Sequence, residues 1–420
     1  MENTVVQQTG QAIGAVLPQH ANNMTRLGAL LRGGEPIITV IGKYNHGKSM
    51  LLNELIGEAS FAVADRRETV RLAHHVQHGV RWLDAPGLDA DTGTEDDRHA
   101  MHAAWLESDI RLFVHAAKEG ELDAAELALL KELRADSEKT DRQTLFVLSQ
   151  VDQLPGGEAL NEVIAAIHGQ LPGLEMHAVS STRHRKGIDG DKPLLSERSG
   201  IPQLRAGLEA AVGRVPAARA HEAALLFTHI RHDLDGLRCE REQSLASLKK
   251  ARQAQRQAFD EGLRSVICKA GRDIETMLGT LGVDHAAIPD TAADAYVLTA
   301  AKRERAYVQV AYSRACIDID SYLVGCEVIA IPAEQETAAR ALNTVMIAVM
   351  GVSVKFRKDL RRMFCTEQGR ERMQREFTRY YDISGPRKAQ AALIRETESD
   401  IIALNEAAMS LQGLREAHEI

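Results

Sequence analysis

The chain of 420 residues is 44% hydrophobic, enough for two or three packed domains and too apolar for a disordered chain. Its 51 basic side chains against 59 acidic ones leave a net charge of −8, which argues against nucleic acid as a main partner, because coating phosphates takes a basic excess. The five cysteines are odd in number and lack ligand spacing, the start has no leader pattern, and no window holds eighteen consecutive apolar residues. A cytoplasmic protein with reduced thiols is expected, at most peripheral to the inner face of a membrane.

The acidic excess lies before residue 215, where 22 basic and 30 acidic residues stand; the remainder holds 29 of each. Residues 5–31 carry a weak helical pattern broken at Pro18. Segment 1–34 is expected to pack on helices from the far end of the chain. Ile37-Ile38-Thr39-Val40-Ile41 then reads as a buried strand, and Met50–Ile56 as a helix. Between them Gly42-Lys43-Tyr44-Asn45-His46-Gly47-Lys48-Ser49 fits the pattern G-x-x-x-x-G-K-[ST]. Glycines let such a loop curl so that several N–H groups face one phosphate, and the helix start adds favourable dipole. Gly42, Asn45, His46, Gly47, Lys48, Ser49 and Met50 are the expected nucleotide contacts, with Lys48 reaching the β- and γ-phosphates and Ser49 a ligand of Mg²⁺.

Further strands are expected at Val80–Leu83, Ile110–His115, Leu145–Leu148 and Met176–Val179. Helices fill the gaps at Arg98–Leu106, Ala124–Leu133, Leu160–Ile167 and Leu204–Val212. Such alternation means a mostly parallel sheet with helices on both faces. Asp84-Ala85-Pro86-Gly87 follows the second strand, where Asp84 would hold Mg²⁺ through water and the Gly87 N–H would face the γ-phosphate; a helix-entry turn is the other reading. Ser149-Gln150-Val151-Asp152 occupies the slot where guanine-nucleotide proteins carry [NT]-K-x-D, and Val179-Ser180-Ser181 the slot of a short base-contacting turn.

On these motifs residues 37–213 resemble the G domain of translation-factor-class P-loop GTPases, close to the Era-like and dynamin-like groups. The resemblance implies GTP hydrolysis to GDP with Mg²⁺, base contacts from Gln150, Asp152, Ser180 and Ser181, and a switch threonine at Thr69 ligating Mg²⁺. Asn45 stands where potassium-activated members carry asparagine, which implies K⁺ beside the phosphates; a loop-stabilising amide is the alternative. Lys48, Thr69 and Asn45 are thus the expected catalytic residues. The chain departs from the pattern at Ser149 and Gln150, which implies weaker base affinity, and at Leu88, where no glutamine follows Gly87.

Beyond residue 215 strand signals nearly vanish. Leu226, Ile230, Leu234 and Leu237, and later Ile394, Ile401, Leu404, Ala408 and Leu411, repeat at helical spacing, as in a long bundle or coiled coil. The expected organisation is therefore 1–34, 35–215 as a G domain, and 216–420 as an elongated all-α helical bundle. Segment 344–362 joins an apolar run to Lys355, Arg357, Lys358, Arg361 and Arg362. It reads either as a buried helix with a solvated basic end or as a leaflet contact facing an anionic membrane surface. The layout resembles dynamin-like proteins, implying G domains that pair with themselves or with a related chain and drive stalk motion in membrane remodelling. A soluble Era-like regulatory GTPase with a protein or RNA partner is the alternative.

Overall fold

The computed structural model describes residues 2–61, 73–84, 103–329 and 344–419. Strands β1 (Ile37–Ile41), β2 (Ala73–Gln77), β3 (Val80–Asp84), β4 (Ile110–Ala116), β5 (Gln143–Ser149) and β6 (Met176–Ala178) form one sheet in the order β2-β3-β1-β4-β5-β6. Only the edge pair β2–β3 is antiparallel. The sequence pattern anticipates five of these strands. The sixth, β2, is a polar edge strand, joined to β3 through His78 and Gly79, both at positive φ as a tight hairpin requires.

Alternation along the central strands sends side chains to two cores. Ile38 and Val40 of β1 and Ile110, Leu112 and Val114 of β4 point to a face covered by α3 (Lys48–Ile56) and by Ile201, Leu204 and Leu208. Ile41, Phe113 and Phe146 point to the other, covered by α4 (Ala124–Thr140) and α5 (Gly157–Gln170). The fold is therefore the expected mostly parallel α/β sheet with helices on both faces.

The first two helices, α1 (Glu2–Val16) and α2 (Ala21–Leu31), bury Ile13, Met24, Leu27 and Leu30. After β6 come α6 (Ser181–Asp189), α7 (Pro193–Glu197) and α8 (Ile201–Thr280), an 80-residue helix with Pro216 inside it. Then follow α9 (Ala300–Gly325), α10 (Val345–Met350), α11 (Arg357–Phe364), α12 (Glu367–Asp382) and α13 (Gly385–Ala417). The chain divides into two compact units, Met1–Gly236 with Ala403–Ile420, and Leu237–Ile402. Residue 215 falls inside α8, so helix continuity crosses the composition break. In the first unit the Thr9 hydroxyl reaches the Ser410 carbonyl at 3.5 Å, and Arg231 donates to Gln412 at 2.8 Å.

The described helices of the second unit pack around Phe259, Leu263 and Ile267 of α8, Val308 and Ile319 of α9, and Phe364 and Phe377. Its core bears on the two readings of segment 344–362. Val345, Met346, Met350 and Val354 are buried in this core, and the Tyr312 hydroxyl donates to the Met350 carbonyl at 2.8 Å. Arg357 pairs with Glu304 and donates to the Gly282 and Val283 carbonyls at 2.9 and 3.1 Å. These contacts favour the buried reading, while Val352 and Phe356 stay exposed. No helix among the described residues is long and apolar enough to cross a membrane.

Candidate functional site: a phosphate-binding loop

The loop between β1 and α3 lies at the carboxyl ends of the parallel strands. Gly42 is demanded by packing: a Cβ there would stand 2.2 Å from the Val114 carbonyl oxygen. Asn45 at φ 61° and Gly47 at φ 82° turn the chain so that α3 starts at Lys48. Met50 is half-buried in the first turn of that helix. Lys48 is buried, and its ammonium donates to the Gly42 and Lys43 carbonyls, both at 2.9 Å. Burial pushes its pKa down to about 8, with Asp84 pulling the other way.

Ser49 and Asp84 meet: the Ser49 hydroxyl donates to Asp84 Oδ2 at 2.6 Å. The other oxygen, Oδ1, is buried with no hydrogen-bond partner among the described residues. Burial raises the Asp84 pKa, against the Ser49 hydrogen bond and the Lys48 charge. A serine hydroxyl and a carboxylate with a free oxygen, next to a lysine, is a donor set that suits Mg²⁺ carrying phosphate oxygens.

The residues expected to contact the base gather at the neighbouring strand ends. Gln150, at φ 56°, donates from Nε2 to the Asn45 carbonyl at 2.7 Å and so lies against the phosphate loop. Asn45 itself is exposed. Asp152 is exposed and accepts from the Thr182 hydroxyl at 2.6 Å. Burial works to raise its pKa, but the Ser180 and Thr182 hydroxyls hold it below the usual carboxylate range. Ser180 is fully buried and caps α6, accepting from the Arg183 N–H at 3.0 Å; Ser181 is that helix's first residue. Thr69, Gly87 and Leu88 lie outside the described residues.

A family model described as 50S ribosome-binding GTPase matches residues 37–150. An uncharacterized protein of Acinetobacter baylyi is 47% identical over 418 residues, covering 99% of this chain and all of that protein. The chain belongs to that protein's family. Its residues 37–150 are those of a P-loop GTPase domain, a group whose members typically use Mg²⁺. The chain is also similar to the GTPase Der of Streptococcus mutans, at 33% identity over 100 residues, which cover 22% of either protein. A crystal structure of the GTPase Era of Aquifex aeolicus bound to GDP and aluminium fluoride aligns over 39% of this chain and 56% of that one, with 21% identity and a TM-score of 0.31.

In this GTPase domain the structure adds supports that motif reading misses. Ser149, which the sequence marks only as a departure, donates to the His46 carbonyl at 2.6 Å and lies 3.1 Å from the His115 carbonyl, tying the loop to β4 and β5. Lys43 pairs with Asp123, the N-cap of α4, and stands 3.6 Å from Glu126. Glu126 completes the capping box with Oε2 and faces His115 Nδ1 at 3.0 Å with Oε1. His46 Nδ1 donates to the Val114 carbonyl at 3.2 Å, and burial pushes its pKa down to about 4. The spacing Asp-x-x-Glu at 123–126 is the one sequence signal for this network; the rest depends on tertiary contact.

Proposed function

We propose that the protein is a GTP-hydrolysing switch whose nucleotide state is passed to its helices. The reading rests chiefly on the Ser49–Asp84 hydrogen bond with its spare Asp84 oxygen, beside Lys48 in a P-loop. Ser49 would ligate Mg²⁺ directly and Asp84 would hold it through water; the ion, when bound, neutralises charge on the β- and γ-phosphates. Lys48 would bind the same oxygens, a role supported by its ammonium bonding to the Gly42 and Lys43 carbonyls of the loop. Asp152 would select guanine, with Ser180 and Ser181 shaping the turn under the base. Thr69 would close over the γ-phosphate, and Asn45 would offer its amide oxygen to K⁺, supplying positive charge in the absence of a glutamine at Leu88.

Transmission has a short route inside the first unit. The Ser180 N–H donates to the Ser199 carbonyl at 2.8 Å, and a Cβ on Gly200 would stand 2.0 Å from the Ala178 carbonyl oxygen. The base-side turn thus rests directly on the residues that start α8. Phosphate release measured with GTP and ATP tests the reading: GTP turnover should exceed ATP turnover, fall at least a hundredfold in Lys48→Ala and Ser49→Ala, and rise in K⁺ over Na⁺. Equal rates in the variants and wild type would overturn hydrolysis at this loop; equal rates in the two salts would remove the Asn45 role alone.

A dynamin-like reading, in which G domains pair and move a stalk at a membrane, keeps one specific support. Both ends of the chain meet in the first unit, at Thr9 and Ser410. Turnover that rises with protein concentration and with anionic vesicles would favour it; turnover indifferent to both favours a soluble regulatory GTPase with a protein or RNA partner.

A further inference from the structure

His20 sits in the short 3₁₀ turn Pro18–His20 between α1 and α2, and its ring is only 2% exposed. The Asn23 side-chain amide donates to its Nδ1 at 2.9 Å, which fixes the ring and aims Nε2 at Asp233 Oδ2, 2.8 Å away. On α8, His229 and Asp233 stand one turn apart on the same face. His229 Nε2 lies 3.8 Å from the same Asp233 oxygen, and its ring meets that of His20 edge-on at 5.1 Å between centroids. The three donor atoms all lie within 4.8 Å of one another.

We propose that His20, His229 and Asp233 form a site for a divalent transition-metal ion, Zn²⁺ in the first instance. Two imidazoles and one carboxylate are the borderline donor set that zinc takes, and three protein ligands leave a fourth position for water. A tetrahedral ion with bonds of about 2.0–2.2 Å holds its donors a little over 3 Å apart, so a small rotation of the half-exposed His229 closes the set. That exposure also gives the ion its entry path. Asn23 supplies the outer support that metal-bound histidines need: with Nε2 on the ion the proton moves to Nδ1, and the amide turns its oxygen toward it. His20 comes from the turn after α1 and the other two ligands from α8, so the ion would staple the N-terminal segment to that helix.

A second such cluster among the described residues, His46–His115–Glu126, does not compete for this role. Both ring nitrogens of His115 already face acceptors, Glu126 and the Gly120 carbonyl, and all three residues are closed off from solvent.

The test uses the full chain stripped with chelator and kept in excess Mg²⁺, titrated calorimetrically with Zn²⁺. Wild type should bind one equivalent, with a higher thermal midpoint, and Co²⁺ in its place should give the strong visible absorption of a tetrahedral site. Both His229→Ala and Asp233→Asn should weaken binding at least tenfold and abolish the Co²⁺ band. Both side chains are substantially exposed, so each variant can be checked for folding by its metal-free thermal midpoint. Absence of binding at micromolar Zn²⁺, unchanged binding in both variants, or loss in only one of them would overturn the three-ligand site. Unchanged binding would place the ion elsewhere, with the His75–Glu58 pair at 2.8 Å the next to examine.

Discussion

Arg26 and Glu222, 196 residues apart, form a two-point ion pair at 2.9 and 2.7 Å with both side chains 4% exposed. Arg26 lies on α2 and Glu222 on α8, and Arg26 also donates to the Glu107 carbonyl just before β4 at 3.2 Å. Around them Arg142 stands 3.5 Å from Glu222, and Arg219 binds Asp109 at 2.9 and 2.5 Å. One buried charge cluster therefore ties the N-terminal helices, the sheet and α8 together at the strand ends remote from the phosphate loop.

Removing one member should be costly, since it strands a buried charge. Arg26→Met leaves Glu222 with the longer Arg142 contact and should cost about 3–5 kcal/mol in urea unfolding of the intact chain. Replacing both, as Arg26→Met with Glu222→Leu, should cost less than the two single changes added. Strict additivity would mean that the pair does not act as a unit.

Ser149→Ala should act on the loop from behind. It removes the bond to the His46 carbonyl and leaves a buried acceptor unsatisfied, a loss of about 1–3 kcal/mol. Because His46 lies inside the phosphate loop, GTP affinity should fall several-fold along with stability. Equilibrium titration with a fluorescent guanine nucleotide checks both consequences when paired with urea unfolding; unchanged affinity would show that the loop holds its shape without the strand.

Asp152→Asn probes base selection. A carboxylate accepts two hydrogen bonds from the guanine edge, whereas an amide matches the xanthine edge. The variant should lose GTP affinity by at least tenfold and gain affinity for xanthosine triphosphate. Competition between the two nucleotides reads the ratio directly, and a guanine preference equal to that of wild type would remove Asp152 from the base site.

The strand–loop–helix start and the five apolar strands are legible because each is encoded locally, whereas the Ser49–Asp84 hydrogen bond joins residues 35 apart. Ile37–Ile41 is apolar on both faces, and the glycine spacing at 42–47 answers a backbone need. The edge strand β2 was not legible, because its alternating polar residues gain their place only by pairing with β3. Segment 344–362 shows the opposite failure. Its composition allows a buried helix or a lipid contact, and the contacts that favour burial, those of Arg357 with Glu304 and the Gly282 and Val283 carbonyls, join residues 53 to 75 apart in sequence. Still longer separations hide Arg26–Glu222, 196 residues apart, and the Ser149–His46 tie, 103 apart, since neither pattern has a period.

Glu304 gives a pH dependence with a definite sign. Burial works to raise its pKa, but the Arg357 hydrogen bond and the His285 N–H, donating at 2.9 Å, hold it below the usual carboxylate value. A folded-state pKa below the unfolded one contributes stability that is present above the unfolded value, near 4.5, and is lost as pH falls through the folded value. The helical unit should therefore weaken on acidification from roughly pH 5 downward. Glu304→Gln should be less stable than wild type at neutral pH, yet lose less on acidification, because its amide oxygen still accepts from His285 and carries no charge to titrate. Arg357→Met should be the more damaging at pH 7, by about 3–5 kcal/mol, since it leaves the Glu304 carboxylate buried without its cation. Urea midpoints of the three proteins from neutral to acid pH separate these effects; parallel curves for wild type and Glu304→Gln would mean that other carboxylates control the acid response.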